Sequence, residues 1–237
     1  MTQLNLALHD YQEIAKDFLI QHPHAGLFLD VGFGKTLTTL ATLLELANNG
    51  MMQGHILIIA PKTIARSTWI DEIKKWGITA NCRSFIVNEK GAKLSKEKRI
   101  EAYQNIYTES PAIYFINREL IMDLIKWCHQ NEKPWAFPTV IIDELQSFKS
   151  YKSQRFKALQ TILPQVSRFI GLTGTPVPNG LMDLWSEIYL MDQGARLGKN
   201  ITTYRNTFFN PGRCMNGYPI EWLPKPNTEA EIYRRIG

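Results

Sequence analysis

Six short apolar runs alternate with segments of helical spacing, and this alternation constrains the fold more than any other feature of the chain. The runs are AGLFLD (25–30), HILIIA (55–60), RSFIVN (83–88), AIYFIN (112–117), TVIIDE (139–144) and RFIGLTG (168–174). Helical spacing is found at 36–48, 64–76, 95–107, 118–130, 153–163 and 181–191. Strands that are apolar along their whole length are buried on both faces, as in parallel sheets built from βαβ units. We therefore predict a doubly wound α/β fold with helices on both faces of a mostly parallel sheet.

The pattern changes towards the C-terminus. The residues RCMNGYPIEW predict a hairpin, because Asn216-Gly217 suits a type I′ turn. The following PKPNTEAEIYRRIG predicts a linker and then a helix that is capped by Asn227 or Thr228. These elements form an extension beyond the alternating pattern.

Charge and cysteine content indicate in which cellular compartment the protein acts and which classes of partner it binds. The net charge of +5 suits a polyanionic partner without requiring one. The three cysteines are far apart and form no C-x-x-C pair, which argues against a disulfide framework and a zinc site. No run reaches the ~18 apolar residues that a membrane span needs. We expect a cytoplasmic protein without a membrane partner.

The segment LFLDVGFGKTLTTLATLLEL, residues 27–46, combines an apolar strand, a glycine turn and a helix. A P-loop reads G-x-x-x-x-G-K-[ST] in this context. Gly34, Lys35 and Thr36 fit the end of that motif, whereas Leu29 stands at its first position. The segment therefore predicts a phosphate site with an altered opening.

Each part of this loop has an expected role. The backbone N–H groups of the loop, from Gly32 through Phe33 and Gly34 to Thr36, would converge on phosphates at the helix N-terminus. Lys35 would reach the β- and γ-phosphates, and the hydroxyl of Thr36 would ligate Mg²⁺.

The run TVIIDELQ ends in two adjacent carboxylates, Asp143 and Glu144, as a Walker B strand does. Two carboxylates are costly to bury without a partner, so we expect them at an exposed strand end beside a cation. Asp143 would hold Mg²⁺ through water, and Glu144 would polarise the attacking water.

The third motif is LTGTPVPNGLMDLW, in which Thr173, Gly174 and Thr175 follow another apolar run. Pro176 and Pro178 block immediate extension into a helix. A hydroxyl-rich strand end beside the Walker B strand is suited to sensing the γ-phosphate.

These three motifs in this order resemble the first RecA-like lobe of helicase superfamily 2, and within it the Swi/Snf-type ATPases, particularly their short phage and bacterial relatives. DVGFGKT is similar to the D-E-M-G-L-G-K-T of that family, which also lacks the first glycine. LHDYQEIAKDFL resembles the Q-motif, which implies that Gln12 contacts the adenine edge with Tyr11 close by. The resemblance implies a RecA-like P-loop NTPase lobe with ATP and Mg²⁺ as cofactors.

Other segments imply contacts with DNA. LIIAPKTIARSTWIDEIKKW resembles motif Ia, which implies that Pro61, Lys62 and Thr63 lie near the DNA backbone. The helical spacing of Trp69 and Trp76 favours packing over base stacking. INRELI (116–121) occupies the place of motif Ib, and LTGTPVPN closely matches motif III.

DELQSFKS stands where most members have Asp-Glu-x-His, so Gln146 takes the place of the histidine that couples the ATP and DNA sites. A basic group follows it, formed by Lys149, Lys152, Arg155 and Lys157, and is the better candidate for phosphate contact. Glutamates intersperse the other group, which favours a solvated helix face for Lys93, Lys96, Lys98 and Arg99. We expect DNA binding to be electrostatic, on duplex DNA and without base readout.

The resemblance extends from about Leu8 to about Phe209. We therefore divide the chain into a lobe, residues 1–209, and a hairpin and linker, residues 210–237, that lead towards an absent second lobe. In superfamily 2 the second lobe supplies arginine fingers to the transferring phosphoryl group. Such fingers are worth ~10³–10⁵ in rate in related systems, so we expect slow hydrolysis by this chain alone.

Two functions remain open at this point. The chain is the ATP-binding lobe of a Swi/Snf-like DNA-dependent translocase, or a free-standing half-motor that binds nucleotide, DNA or a host or phage protein without catalysis. A small-molecule P-loop kinase or GTPase is disfavoured, because the sequence has no Asn-Lys-x-Asp motif. A phage-encoded chain would act in the host cytoplasm.

Overall fold

A six-stranded parallel sheet forms the centre of the computed structural model, which describes residues 8–174 and 180–237. Its strands are β1 (His24–Phe28), β2 (Ile56–Ala60), β3 (Cys82–Ser84), β4 (Ile113–Asn117), β5 (Thr139–Asp143) and β6 (Arg168–Thr173). Their order in the sheet is β1-β6-β5-β2-β4-β3, and each neighbouring pair is parallel. The predicted α/β fold is confirmed, and each of the six apolar runs overlaps one strand.

The helices that form the main unit with the sheet, within the described ranges, are α1 (Asp10–Gln21), α2 (Lys35–Asn48), α3 (Trp69–Lys75), α4 (Lys96–Asn105), α5 (Ile121–Gln130), α6 (Gln154–Ile162), α7 (Leu181–Asp192) and α8 (Ile201–Phe208). They cover both faces. Leu57 of β2 packs in an apolar cluster with residues of α4 to α8, whereas Ile58 packs in a second cluster with residues of α1 to α3. Consecutive strand residues point to opposite faces, which explains why the strands are apolar throughout. No helix in the described ranges is both long and apolar enough to cross a bilayer.

The third strand is shorter than the run 83–88 that predicts it. After β3 the hydroxyl of Ser84 accepts hydrogen bonds from the backbone N–H groups of Ile86 and Val87, at 3.1 and 3.3 Å. This local side-chain bonding competes with the strand ladder and turns the chain away from the sheet edge.

Two helices differ from the sequence prediction. α1 lies in the segment identified only by its motif, and its first turn is closed by Gln12, whose Oε1 accepts from the backbone N–H of His9 at 3.0 Å. The segment 64–76 is not one regular helix. A π-helical turn over Ile64–Thr68 precedes α3.

The C-terminal extension contains the predicted hairpin. Strands β8 (Cys214–Met215) and β9 (Tyr218–Pro219) pair antiparallel, and positive φ angles of 50° at Asn216 and 77° at Gly217 form the turn. Outside the hairpin, β7 (Phe209–Pro211) pairs antiparallel with β10 (Trp222–Pro224).

The last helix, α9 (Thr228–Ile236), begins as predicted but without the predicted side-chain cap. Asn227 occupies the N-cap position with a φ of 62° and its side chain makes no capping bond. The hydroxyl of Thr228 instead donates to the carbonyl of Phe208 at 2.6 Å. Ile232 is fully buried in the same apolar cluster as the residues of α4 to α8, so α9 packs against the main unit.

Candidate functional site

The carboxyl edge of the sheet brings most of the predicted site residues together. β1 leads into the glycine loop, β5 ends in Asp143, β6 ends in Thr173, and β2 is followed by Pro61. These four strands are neighbours in the order β1-β6-β5-β2. Ligand sites of open α/β sheets lie outside the carboxyl ends of the strands, so this edge is the candidate site.

The first position of the loop needs no glycine in this chain. The backbone N–H of Leu29 donates to the carbonyl of Thr173 at 3.2 Å, which extends the pairing of β1 with β6 by one residue. The Leu29 side chain packs against the apolar cluster beneath α1 to α3. Glycine is required later, at Gly32 and Gly34, which have φ angles of 90° and 70°. A Cβ at Gly34 would also collide with the side-chain amide of Gln12.

Lys35 is the first residue of α2, and its amine is folded into the loop. Its Nζ donates to the carbonyl of Leu29 at 2.8 Å and to that of Asp30 at 3.1 Å. Gly174 lies opposite, and a Cβ built there would be 3.7 Å from the amine. The ammonium group therefore lies between the glycine loop and the end of β6. Thr36 follows it in the first turn of α2.

The first turn of α1 contacts the tip of the same loop. Gln12 is buried, and its Nε2 donates to the carbonyl of Phe33 at 3.4 Å. The hydroxyl of Tyr11 donates to the same carbonyl at 3.5 Å, and the Tyr11 and Phe33 rings meet edge to face with centroids 5.8 Å apart. Tyr11 and Phe33 are 39% and 48% exposed, so they present aromatic surface beside the loop.

Asp143 is buried, so the prediction of an exposed strand end is wrong for this residue, and its carboxylate contacts a tryptophan that the sequence analysis assigned to packing. The indole Nε1 of Trp69 donates to its Oδ2 at 3.0 Å, and Trp69 is fully buried. The pKa of Asp143 is raised overall, chiefly because burial disfavours the charged form, and the charge of Glu144 raises it further. The hydrogen bond from Trp69 and the charge of Lys35 act in the opposite direction. A buried indole N–H usually finds a hydrogen-bond acceptor. From the sequence, this rule predicts that a buried Trp69 has an acceptor, but it does not identify Asp143 as that acceptor.

Glu144, Gln146 and Thr173 form a hydrogen-bonded chain across two strands. Gln146 Nε2 donates to Glu144 Oε2, and the hydroxyl of Thr173 donates to Gln146 Oε1 at 2.6 Å. Glu144 itself has φ 60° and ψ 57°, a left-handed conformation that costs a non-glycine residue of order 1 kcal/mol. A 3₁₀ turn over Leu145–Phe148 follows it and brings Gln146 back towards the strand end. Thr175, which was predicted beside these residues, lies outside the described residues.

The predicted basic group is only partly available to a partner. Lys149 forms an ion pair with Asp183 of α7, with 3.3 Å between Nζ and Oδ2. Arg155 is half-buried over the ring of Phe148, 6.0 Å from its centroid. Lys152 and Lys157 are exposed. The segment after β2 also presents exposed side chains, those of Lys62 and Thr63, while Pro61 is half-buried.

One acid near this ion pair has no partner. Glu187 of α7 is fully buried, and neither of its carboxylate oxygens has a hydrogen-bond partner among the described residues. Burial raises its pKa to about 8, with a further increase from the charge of Asp183 and a decrease from Lys149. Glu187 is therefore protonated in the folded protein at neutral pH.

Comparison with protein families gives a match over most of the chain. Residues 11–218 match the family described as the SNF2-related domain. The matched range contains the glycine loop, the two carboxylates after β5 and the end of β6.

Two relatives align over most of this chain but over a minor part of their own length. Protein p41 of Acyrthosiphon pisum secondary endosymbiont phage 1 is 32% identical over 204 residues, which are 84% of this chain and 42% of p41. Helicase SWR1 of Mycosarcoma maydis is 31% identical over 219 residues, which are 86% of this chain and 11% of SWR1. The chain therefore spans less than half the length of either relative.

Solved structures share the fold. The Sulfolobus solfataricus SWI2/SNF2 ATPase core in complex with dsDNA aligns with a TM-score of 0.64 and 21% identity, over 86% of this chain and 39% of that one. The UvsW helicase from bacteriophage T4 aligns with a TM-score of 0.53 and 16% identity, over 79% of this chain and 60% of that one.

Proposed function

The chain belongs to the SNF2-related domain family, and from this premise we propose that it is the ATP-binding lobe of a Swi/Snf-like, DNA-dependent ATPase of the translocase type. The observation that carries the proposal is that the Lys35 loop and the two carboxylates at the end of β5, Asp143 and Glu144, lie at the same carboxyl edge of the sheet. The proposed cofactors are ATP and Mg²⁺.

The contacts at this edge suit a magnesium–polyphosphate ligand. The amine of Lys35 is held among the loop carbonyls, so an anion in the loop would meet a cation already in place. The first N–H groups of α2 have no acceptor within the helix and carry partial positive charge. Asp143 uses one carboxylate oxygen to accept from Trp69, which leaves the other for Mg²⁺ or its water. Thr36 and Asp143 are the proposed magnesium ligands.

Binding of the nucleotide is assigned to two elements. Lys35 and the backbone of the loop, from Gly32 onwards, would bind the phosphates. Gln12 and Tyr11 already contact the loop tip and would bind the adenine edge, which favours ATP over GTP. Bound Mg²⁺ would neutralise phosphate charge and polarise the γ-phosphoryl group.

The hydrogen-bonded chain beside the loop is assigned to water activation. Glu144 would orient the attacking water and accept its proton at Oε1, the oxygen that is not bonded to Gln146. Gln146 fixes the other oxygen and joins it to Thr173. Thr173 and Gly174 lie beside the Lys35 loop, so a change there would be transmitted to Glu144. Thr175 keeps its proposed role as a neighbour of the γ-phosphate.

Duplex DNA is the proposed macromolecular partner. The Sulfolobus core, which shares the fold, was solved with dsDNA. The exposed side chains of Lys62, Thr63 and Lys152 are the proposed backbone contacts, together with Pro61 and with Lys149 if its ion pair opens. A second RecA-like lobe is the proposed source of the arginine fingers, and the chain spans 42% of protein p41. The proposed setting is the cytoplasm, and for a phage-encoded chain the cytoplasm of the host.

The proposal is tested first by calorimetric titration of the chain with ATP and GTP in the presence of Mg²⁺. We expect binding of ATP, weaker binding of GTP, and loss of ATP binding by about tenfold or more in Lys35→Ala, since a charge-assisted contact is removed. Equal affinity for GTP would contradict the role of Gln12, and unchanged binding by Lys35→Ala would contradict the site.

Hydrolysis is then measured with and without duplex DNA, with Lys35→Ala as the blank. Turnover near the blank with intact ATP binding is expected for a lobe without arginine fingers. DNA-stimulated turnover well above the blank would mean that an arginine finger is supplied, most simply by a second copy of the chain.

A further inference from the structure

The hydrogen bond from Trp69 to Asp143 joins two distant parts of the chain inside the candidate site. The two residues are 74 positions apart, and the bond of 3.0 Å is buried. Trp69 is the first residue of α3 and directly follows the π-helical turn Ile64–Thr68. The other indole of this segment behaves differently, because Trp76 Nε1 donates to Glu72 of its own helix at 2.7 Å. Of these two similar side chains, only Trp69 reaches the sheet edge.

We propose that Trp69 is a positioning residue that orients the carboxylate of Asp143 for the magnesium–nucleotide complex and links that carboxylate to the segment containing Lys62. This inference rests on the proposed function, because it assigns a residue to the same site. An indole N–H is a donor only. It can fix the rotamer of Asp143 and hold one oxygen, but it cannot compete for the cation as a ligand.

The link to Lys62 follows from the continuity of the helical segment. The backbone N–H of Ala65 donates to the carbonyl of Pro61 at 2.8 Å, and the hydroxyl of Ser67 donates to that of Thr63 at 3.3 Å. The exposed residues after β2 and the buried Trp69 therefore belong to one hydrogen-bonded segment. π-Helical turns are rare and are frequently found at functional sites. Rewinding of this turn to α-helical geometry would rotate Trp69 and change its bond to Asp143.

The test compares Trp69→Phe with Trp76→Phe, which removes the other indole–carboxylate bond of the same segment. ADP affinity is measured with EDTA and with increasing Mg²⁺. We expect Trp69→Phe to bind ADP in EDTA as the wild type does, and its apparent Mg²⁺ affinity in the presence of ADP to fall by about 10- to 100-fold, the usual effect of removing an outer-shell partner of a metal ligand. Trp76→Phe should retain the wild-type Mg²⁺ dependence. Equal Mg²⁺ dependence in all three proteins would overturn the inference while leaving the proposed function intact.

A second measurement on the unaltered chain keeps the inference testable if Trp69→Phe does not fold. The chain has six tryptophans, so its indole N–H groups give six resolvable NMR signals that single Trp→Phe variants assign. We expect the Trp69 signal to shift when Mg²⁺ is added to the ADP-bound chain, and to shift again with a short duplex DNA. The second shift should be lost in Lys62→Ala. A Trp69 signal that does not shift with Mg²⁺ would overturn the orienting role. A signal that does not shift with DNA would overturn the proposed link between Asp143 and the segment containing Lys62. A wild-type chain that binds no nucleotide would overturn the proposed function and this inference together.

Discussion

Gln146 donates to Glu144 and accepts from Thr173, so one side chain joins the carboxylate that follows β5 to the end of β6. An imidazole at this position, as in the family that the sequence resembles, can donate and accept together only when it is neutral. The carboxamide of glutamine does both at every pH. We therefore expect the coupling between these strand ends to be independent of pH over the range in which histidine titrates.

Replacing Gln146 by alanine should measure the strength of this connection. Both bonds are lost, and we expect the free energy of unfolding to fall by about 1–3 kcal/mol, the usual effect of deleting one partner of a buried hydrogen bond. Urea unfolding followed by circular dichroism measures it, with the exposed Gln154→Ala as the matched control. A loss no larger than that of the control would show that the chain of bonds adds nothing to stability.

Glu187 predicts an unusual dependence of stability on pH. Its pKa is about 8 in the folded protein against an ordinary 4.5, so the folded chain holds a proton that the unfolded chain releases between these values. The contribution of Glu187 to the free energy of unfolding is therefore complete below pH 4.5, and it is lost as the pH rises towards 8. The loss is up to about 1.4 kcal/mol per pH unit across that window. The neighbouring charges, Asp183 and Lys149, are included in this shift.

The corresponding measurement is the urea unfolding of the wild type and of Glu187→Gln at several pH values from 5 to 8. The glutamine keeps the shape of the protonated acid and does not titrate, so the difference in stability between the two proteins should grow as the pH rises. Glu229 is exposed, so Glu229→Gln is the control, and its stability should change with pH in parallel with that of the wild type. Parallel curves for Glu187→Gln as well would show that the carboxyl group is not buried as protonated acid.

At the scale of elements, the junction of β1 with the glycine loop makes a prediction against the usual motif. Leu29→Gly restores the P-loop consensus, yet it removes a side chain packed in the apolar cluster and loosens a residue that extends the sheet. We expect a loss of roughly 2 kcal/mol in the free energy of unfolding, from the lost burial and the added chain entropy. Val31→Gly, at a side chain that is 87% exposed, should lose much less. A Leu29→Gly protein as stable as the wild type would show that this position is indifferent to its side chain.

The elements themselves were largely predictable from the sequence. Strands such as β2 and β5 are apolar on both faces because each face packs under helices. Their burial is therefore visible in the sequence as a run of consecutive apolar residues. The exceptions depend on local side-chain hydrogen bonds, which the spacing of apolar residues does not reveal. β3 is cut short by the hydroxyl of Ser84, and Asn227 leaves α9 without a side-chain cap.

The candidate site was predictable where chemistry follows a short spacing. The loop with Lys35 and the pair Asp143 and Glu144 are continuous in sequence, so their types and order identify them. Trp69 was not predictable as a site residue, because its acceptor lies 74 residues away and is chosen by the packing of α3 on the sheet. The ion pair of Lys149 was hidden for the same reason, since Asp183 belongs to a later helix.

For the whole molecule, the proposed contact with DNA predicts a steep dependence on salt. Binding of two unrelated duplexes should weaken similarly as the salt concentration rises, because released counterions rather than base contacts drive association. Lys62→Ala should reduce the slope of log K against log salt by about 1, whereas Lys93→Ala, in the group predicted to be solvated, should not. A strong preference for one duplex, or binding that ignores salt, would contradict electrostatic backbone recognition.

If ATP is the ligand as proposed, the two carbonyl bonds of Lys35 would also affect which phosphates the loop selects. An ammonium group has three N–H donors, so a single anion could still bind the amine, but only a ligand with several acceptors would replace both carbonyls as well. In the proposed site a lone phosphate or sulfate ion would meet only part of the loop, while a triphosphate would follow the loop along its length and recover the lost bonds. Under the proposed function the loop would therefore favour longer phosphate chains, and inorganic phosphate and sulfate would compete poorly.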